Sequence, residues 1–304
     1  LSAVPTRGVA AQVVSFRYDD ITTVLSFACL DGTWNGDNDD TWGESTDGVG
    51  GGDIDWSPEV YVGRIAADSE IEASNHIDKI IEFETTGNNA KKLLFVGEQV
   101  QQFPVTYGGD KLDWIIEAMP GYSYTTLYDR TAEWERQQAL DLINTNTYFW
   151  INTLCIGNPI VDMRLFSNDA NGLQNSRLFF VYSQSSFSTS YDNRLSDGEY
   201  WSSDSIAETM TNARNNTGAF AYLGHSRYSF FVPGSEVEGG SNIFHRDFVE
   251  YILNNDSRIG VANHHSKIGK DYSDPVNRWL SFTINLIGDP ATPLIKGSSP
   301  GTPP

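Results

Sequence analysis

Apolar residues along this chain fall into short blocks of two kinds. Apolar-rich runs at residues 24–30, 92–98, 148–156, 178–183 and 218–224 read as strands, with further strands at 58–65 and 123–128. Between them, Asp68-Ser69-Glu70 opens a helix whose apolar positions Ile71, Ile77, Ile80, Ile81 and Phe83 recur at helical spacing until Gly87. Helices are also predicted at 110–119, 131–144, 203–215, 243–254 and 277–287. Strands alternating with amphipathic helices predict an α/β fold, a mostly parallel sheet covered on both faces. In such sheets the ligand crevice lies beyond the carboxyl ends of the strands. Chemistry is therefore expected at the turns after Gly97-Glu98, Tyr128-Asp129, Ile156-Gly157, Ser183-Gln184 and Leu223-Gly224.

Composition narrows the class. At 304 residues, with 39% hydrophobic and 12% aromatic positions, the chain can build a proper core. Twenty Lys plus Arg against 40 Asp plus Glu give a net charge of −20, which repels nucleic acid and anionic lipid. No apolar run approaches the roughly 18–20 residues that cross a bilayer, so no transmembrane segment is expected. Two cysteines, Cys29 and Cys155, cannot form a disulfide framework, and each falls in an apolar run that reads as a buried strand. Residues 1–5 show neither a basic stretch nor an apolar core of an export signal, so the numbering is expected to begin at a processed end. Residues 297–304 are a Gly/Ser/Pro tail that reads as a linker or a frayed terminus. The acidic, Lys-poor composition and two sequons, at Asn215 and Asn255, suit an extracellular protein.

Several segments, taken in order, resemble the gingipain family of cysteine peptidases. They are Leu30-Asp31-Gly32-Thr33-Trp34-Asn35, Pro58-Glu59-Val60-Tyr61-Val62-Gly63-Arg64-Ile65, Ile151-Asn152 with Gly157-Asn158-Pro159, Val181-Tyr182-Ser183-Gln184, Gly218-Ala219-Phe220-Ala221-Tyr222-Leu223-Gly224, Ser226-Arg227-Tyr228 and Asn285-Leu286-Ile287-Gly288-Asp289-Pro290. The resemblance implies a caspase-like sheet flanked by helices, with a smaller, partial N-terminal subdomain at 1–90, a main subdomain at 91–296 and the tail at 297–304. Val4-Pro5-Thr6-Arg7 resembles a point already inside the family's first subdomain, which implies one part of a larger processed precursor.

The family cuts peptides with a Cys–His dyad, an imidazole at one strand end activating a thiolate at the next. The same resemblance implies that the dyad is gone here. Ile156 stands where the family has its catalytic histidine, before Gly157-Asn158-Pro159, and Ser186 stands where the nucleophile follows Tyr182-Ser183-Gln184. A serine hydroxyl needs an adjacent base, and isoleucine cannot take a proton. One alternative nucleophile is Cys155, one residue earlier, served by His225 or by the pair His264-His265, which follows residues 259–262. Its apolar neighbours Leu154 and Ile156 argue for inert packing instead. His264-His265 is expected on a surface turn, and His76 and His245 on helix faces. Asp110, in Gly108-Gly109-Asp110, falls near the acidic residue with which arginine-specific members bind a basic side chain; equally, an Asp opening a helix is a favoured N-cap.

Residues 31–44 crowd hard oxygen donors among glycines. Asp31, Asn35, Asp37, Asp39 and Glu44 are candidate ligands for calcium, which takes roughly 6–8 oxygens. The resembled family binds calcium structurally, while a solvated acidic loop accounts for the same residues without an ion. The expectation is an extracellular or cell-surface, peptidase-homologous module that binds a protein or peptide without cutting it. An active endopeptidase using Cys155, or a subunit of a surface layer or filament, are the alternatives.

Overall fold

The computed structural model describes residues 7–13, 16–47, 52–86, 92–194, 203–235 and 239–295. The expected tail at 297–304, residues 1–5 and the helix-ending Gly87 lie outside the described residues. The chain opens with an antiparallel hairpin of β1 (Arg7–Val13) and β2 (Phe16–Thr23), a short helix α1 (Leu25–Ala28), a long irregular stretch and α2 (Glu70–Thr86). Next come β3 (Lys92–Gly97), the hairpin of β4 (Gln99–Gln102) and β5 (Val105–Tyr107), α3 (Gly108–Glu117), β6 (Ser123–Tyr128), α4 (Arg136–Asn144) and β7 (Trp150–Leu154). A small hairpin of β8 (Val161–Asp162) and β9 (Leu165–Phe166) leads to α5 (Ser167–Asn171), β10 (Phe179–Ser183), α6 (Ile206–Asn212) and β11 (Ala219–His225). The remainder is α7 (Ser241–Asn254), α8 (Ile259–Lys267), α9 (Pro275–Thr283) and β12 (Ile284–Ile287).

Six strands form one sheet in the order β12-β11-β10-β7-β3-β6, parallel throughout except for the antiparallel β11–β12 pair. This is the mostly parallel, helix-flanked α/β sheet that the apolar pattern predicts. Alternation along each strand feeds two cores. In β3, Leu93 and Phe95 join one apolar cluster with Leu112 of α3 and Phe248 of α7. Leu94 and Val96 join the other with Ile143 of α4 and Ile206 of α6. Each fully buried side chain of this size contributes about 1.5–3 kcal/mol. Val9, Ile21, Trp34 and Ile54 share the first cluster with Trp279 and Phe282 of α9, so these described residues of the N-terminal stretch pack into the sheet's own core. Trp56 stacks on Tyr272 at 3.8 Å and on Phe282 at 5.1 Å. Gly63 is required where the chain meets the sheet edge, because a Cβ there would lie 2.1 Å from the Gly288 carbonyl oxygen.

Several expected elements differ. Residues 24–30 form α1 and a turn rather than a strand, so Cys29 lies after a helix; a short apolar run carries no period that separates the two. At 58–65 only Arg64 makes a bridge, donating its N–H to Leu286 O and accepting from Gly288 N–H, both at 2.9 Å. The helix expected at 277–287 stops at Thr283, because residues 284–287 pair with β11. His264 and His265 lie within α8, not on a turn. On α2 the buried face is His76, Lys79, Ile80 and Phe83, leaving Ile71, Ile77 and Ile81 exposed. The polar pair is admitted because Lys79 Nζ donates to Met210 O at 2.8 Å and His76 Nε2 meets Phe220 O at 3.1 Å.

One buried amide ties the N-terminal stretch to β12. Asn285 Oδ1 accepts from Val24 N–H at 2.9 Å, and its Nδ2 reaches Thr22 O at 3.1 Å and Thr283 O at 3.0 Å. Replacing Asn285 by Ala orphans several buried groups at about 1–3 kcal/mol each. Denaturant melts of Asn285→Ala are expected to show a loss of about 2–4 kcal/mol.

Candidate functional site

The carboxyl ends of β3, β7, β10 and β11 converge, and the loops after β7 and β10 touch. A Cβ on Gly157 would lie 2.6 Å from Ser186 O, so Gly157 and Ser186 meet across a contact only glycine permits. Ser186 sits on a sharp elbow. Its neighbours Ser185 and Phe187 are buried, and Phe187 has φ 62°, a strained value for a bulky residue. The strain is held by Phe187 N–H donating to Arg227 O at 3.0 Å and by the ring meeting Tyr228 edge-on at 4.9 Å.

The chemistry presented there is an alcohol and a hydrocarbon. Ser186 Oγ accepts from Ser229 N–H at 3.0 Å and lies 3.2 Å from Ser229 Oγ. Ile156 is 61% exposed, so its side chain stands in solvent rather than in the core. Behind it is a carboxylate that sequence reading placed only as a strand-end turn. Glu98 Oε2 accepts the Ile156 N–H at 2.8 Å, while Oε1 accepts from Arg164 Nε at 2.6 Å. Arg164 also donates to both Asp129 oxygens, at 2.9 and 3.0 Å, and lies over the Trp134 ring. Burial raises the Glu98 carboxyl above its ordinary value against the opposing pull of Arg164. Arg164 and Ser229 were missed as well. Arg164 follows Met163 in a two-residue hairpin turn with φ 59° and 54°, a backbone that usually announces itself as Asn-Gly.

Beneath the crevice lies a fully buried carboxylate. Asp162 accepts from Ser185 Oγ at 2.6 Å, Tyr222 OH at 2.5 Å, Met163 N–H at 2.7 Å and Thr153 Oγ1 at 3.2 Å. Ser185 Oγ in turn accepts the Cys155 N–H at 3.2 Å. One side chain thus binds the ends of β7, β10 and β11 together.

Cys155, the alternative nucleophile, is 4% exposed and donates its thiol to Val96 O at 3.4 Å. Burial, followed by the charges of Glu98 and Asp162, pushes its thiol well above the ordinary value. His225 is buried with Nδ1 3.1 Å from Thr283 Oγ1. His245 is buried on α7, with Nε2 2.9 Å from Asn152 Oδ1 and its ring stacked on Tyr182 at 3.7 Å. His264 meets Tyr61 edge-on, and His265 stacks on Tyr251.

Asp110 does not cap its helix. The N-cap of α3 is Tyr107, and Asp110 and Asp113 both accept from the guanidinium of Arg130. The expectation of an N-cap is corrected by that ion pair: the chain enters α3 two residues early, where Gly108 N–H donates to Glu98 O at 2.7 Å.

The acidic loop divides into two sets. Carboxylate oxygens of Asp37, Asp39 and Glu44 lie within 4.8 Å of one another, and Asp31 groups instead with Asp55 and Glu59 at the same spacing. Asn35 Nδ2 donates to Asp39 O at 2.8 Å, leaving its Oδ1 buried without a donor. An orphaned amide oxygen beside three clustered carboxylates fits a hard, oxygen-seeking cation.

A six-stranded, mostly parallel sheet flanked by helices is the fold of a gingipain-like domain. Residues 2–295 match peptidase family C25, and the chain belongs to that family. Among solved structures it is similar to the Arg-specific cysteine proteinase gingipain R (RgpB), at TM-score 0.67 and 15% identity over 93% of this chain and 61% of that one. It is also similar to the complex of Porphyromonas gingivalis RgpB pro- and mature domains, at TM-score 0.61 and 15% identity over 79% of this chain and 59% of that one. A third structure, described as a protease, matches at TM-score 0.63 and 17% identity over 92% and 61%. The chain therefore spans about 60% of the length of these relatives. No curated protein matches it. Among the described residues no helix is long and apolar enough to cross a membrane.

Buried histidines make folding sensitive to acid. Burial, then Lys79, lowers His76 from 6.5 to about 4, and burial, then Lys267, lowers His225 to about 3. Their contribution is complete above about 6.5 and is lost as pH falls through the folded values. Glu208, raised by burial to about 7, acts in the opposite sense between 4.5 and 7. Unfolding free energy measured from pH 7 to 4 is expected to depend less steeply on pH in His225→Gln than in the parent.

Proposed function

We propose that this chain is an extracellular or cell-surface, peptidase-homologous domain that has lost bond cleavage and serves as a binding or structural module. The carrying observation is what stands at the two strand ends: Ser186 is hydrogen-bonded to Ser229 and position 156 is an exposed isoleucine, with Glu98 spent on the Ile156 main chain and on Arg164. A serine without a general base lacks a factor of roughly 10²–10⁴. The displaced-nucleophile alternative is disfavoured because Cys155 is a buried thiol held protonated. A protein or peptide is the ligand class suited to the crevice. Asp110, the candidate pocket acid, is already paired in cis with Arg130. Relatives seen as pro- and mature-domain complexes support placing this chain within a larger processed precursor.

The native chain is expected to leave reporter peptides with basic residues intact, and alkylation of Cys155 to change nothing. Turnover abolished by Ser186→Ala or by thiol alkylation would overturn the reading. Installing both missing groups, Ile156→His with Ser186→Cys, is expected to raise reporter hydrolysis at least ~10²-fold over either single variant, because nucleophile and base act as a unit.

We assign calcium to the acidic loop as a structural ion, held by Asp37, Asp39, Glu44 and the Asn35 Oδ1. Bound there, the cation offsets repulsion among the carboxylates; Asp31, with Asp55 and Glu59, marks a neighbouring acidic set. Melting in EDTA is expected to occur at a lower temperature than in calcium. Asp39→Asn with Glu44→Gln should erase that difference, and an unchanged melt with no co-purifying metal removes the assignment.

A further inference from the structure

The sheet ends at β6, and among the described residues nothing pairs beyond it. Its hydrogen-bonding groups can be assigned to sides. Asp129 N–H donates to Gly97 O of β3 at 3.0 Å, so odd-numbered residues of β6 face inward and the main-chain groups of Tyr124, Thr126 and Tyr128 face out. Tyr128 O is already used by the N–H groups of Thr131 and Ala132, at 3.0 and 3.2 Å. Tyr124 and Thr126 remain, each presenting an N–H and a C=O on the open side.

Natural edges are commonly guarded by Lys, Pro, a bulge or a charge. This one reads Ser-Tyr-Thr-Thr-Leu-Tyr, uncharged and rich in strand-forming residues, with an uninterrupted register against β3 and Tyr124 50% exposed. The two outward residues flank Thr125. A two-fold axis through Thr125 therefore places Tyr124 of one copy opposite Thr126 of the other, and each outward N–H meets an opposite C=O in the close-pair geometry of an antiparallel ladder. Thr125 faces its own image across the axis, and Ser123 faces Leu127. The register is self-complementary and carries no charge at the seam, in a chain whose overall −20 repels its copies elsewhere.

We propose that β6 is a docking edge for a second copy of this chain, joining two six-stranded sheets into one through antiparallel β6 pairing. It deepens the structural-module reading but is independent of whether the crevice cuts peptides. Because the opposing charge lies away from the seam, association should strengthen with salt.

The test is the mass of the full chain by light scattering across a concentration series at low and moderate salt, with hydrogen exchange at both ends of the series. The expected result is a mass that rises toward twice the monomer, sooner at higher salt, with exchange slowing at the Tyr124 and Thr126 amides. Amides of Thr125 and Leu127, already bonded to β3, should not change. Thr126→Pro removes an outward N–H and no bond to β3, and Thr126→Lys adds an edge charge; both should hold the mass at that of the monomer with the melting temperature kept. A parent chain that stays monomeric at every concentration overturns the proposal. So does a dimer that survives both variants, or an edge that accepts a separate extended peptide while the chain itself never pairs.

Discussion

The buried carboxylate of Asp162 is the constraint on which the crevice depends. It takes hydrogen bonds from side chains of β7, β11 and the loop after β10, and from its own turn. A carboxylate without solvent is tolerated only when donors replace water around it, and here every named donor is neutral. Losing any one of them exposes the rest to a desolvation cost. The network therefore holds the loops at 155–157 and 185–187 in one arrangement, whatever the side chains at their tips.

That separation of frame from tip leaves the fold independent of which side chains stand at positions 156 and 186. The elbow at Ser186, the close approach at Gly157 and the Glu98–Arg164–Asp129 group are main-chain and ion-pair features, and none of them needs an imidazole or a thiolate. Position 156 projects into solvent, so a hydrocarbon there costs the fold little. Position 186 is fixed through its oxygen by Ser229 N–H. The packing that makes the sheet is thus indifferent to the two groups on which cleavage turns.

Charge is arranged with the same economy. The crevice carboxylates are met from within the chain, Asp129 and Glu98 by Arg164, Asp110 and Asp113 by Arg130. Much of the negative charge lies on residues 31–47 and 52–59, where Asp37, Asp39 and Glu44 form one cluster and Asp31, Asp55 and Glu59 another. The edge strand β6, like most strands of the sheet, carries no charged side chain.

Much of the frame was legible in the chain itself. Runs such as 93–96 and 219–223 are apolar at successive positions, as a strand covered on both faces requires, and amphipathic helices fall between them. Motif order supplied the family and, with it, the positions of Ile156 and Ser186. Other elements were decided by tertiary contact. Residues 284–287 are strand because β11 offers a ladder and Asn285 meets the β2 end; residues 24–30 turn into α1 because Thr23 and Asn285 take up its first N–H groups. The burial of His76 and Lys79 instead of Ile71 and Ile77 follows from carbonyls that only the folded neighbours supply. Periodicity reports how a segment shields itself from water, so it determines elements and layers. Which polar groups meet, and hence which carboxylate backs position 156 or which edge stays open, depends on atoms distant in sequence, and that was settled only when the sheet closed around them.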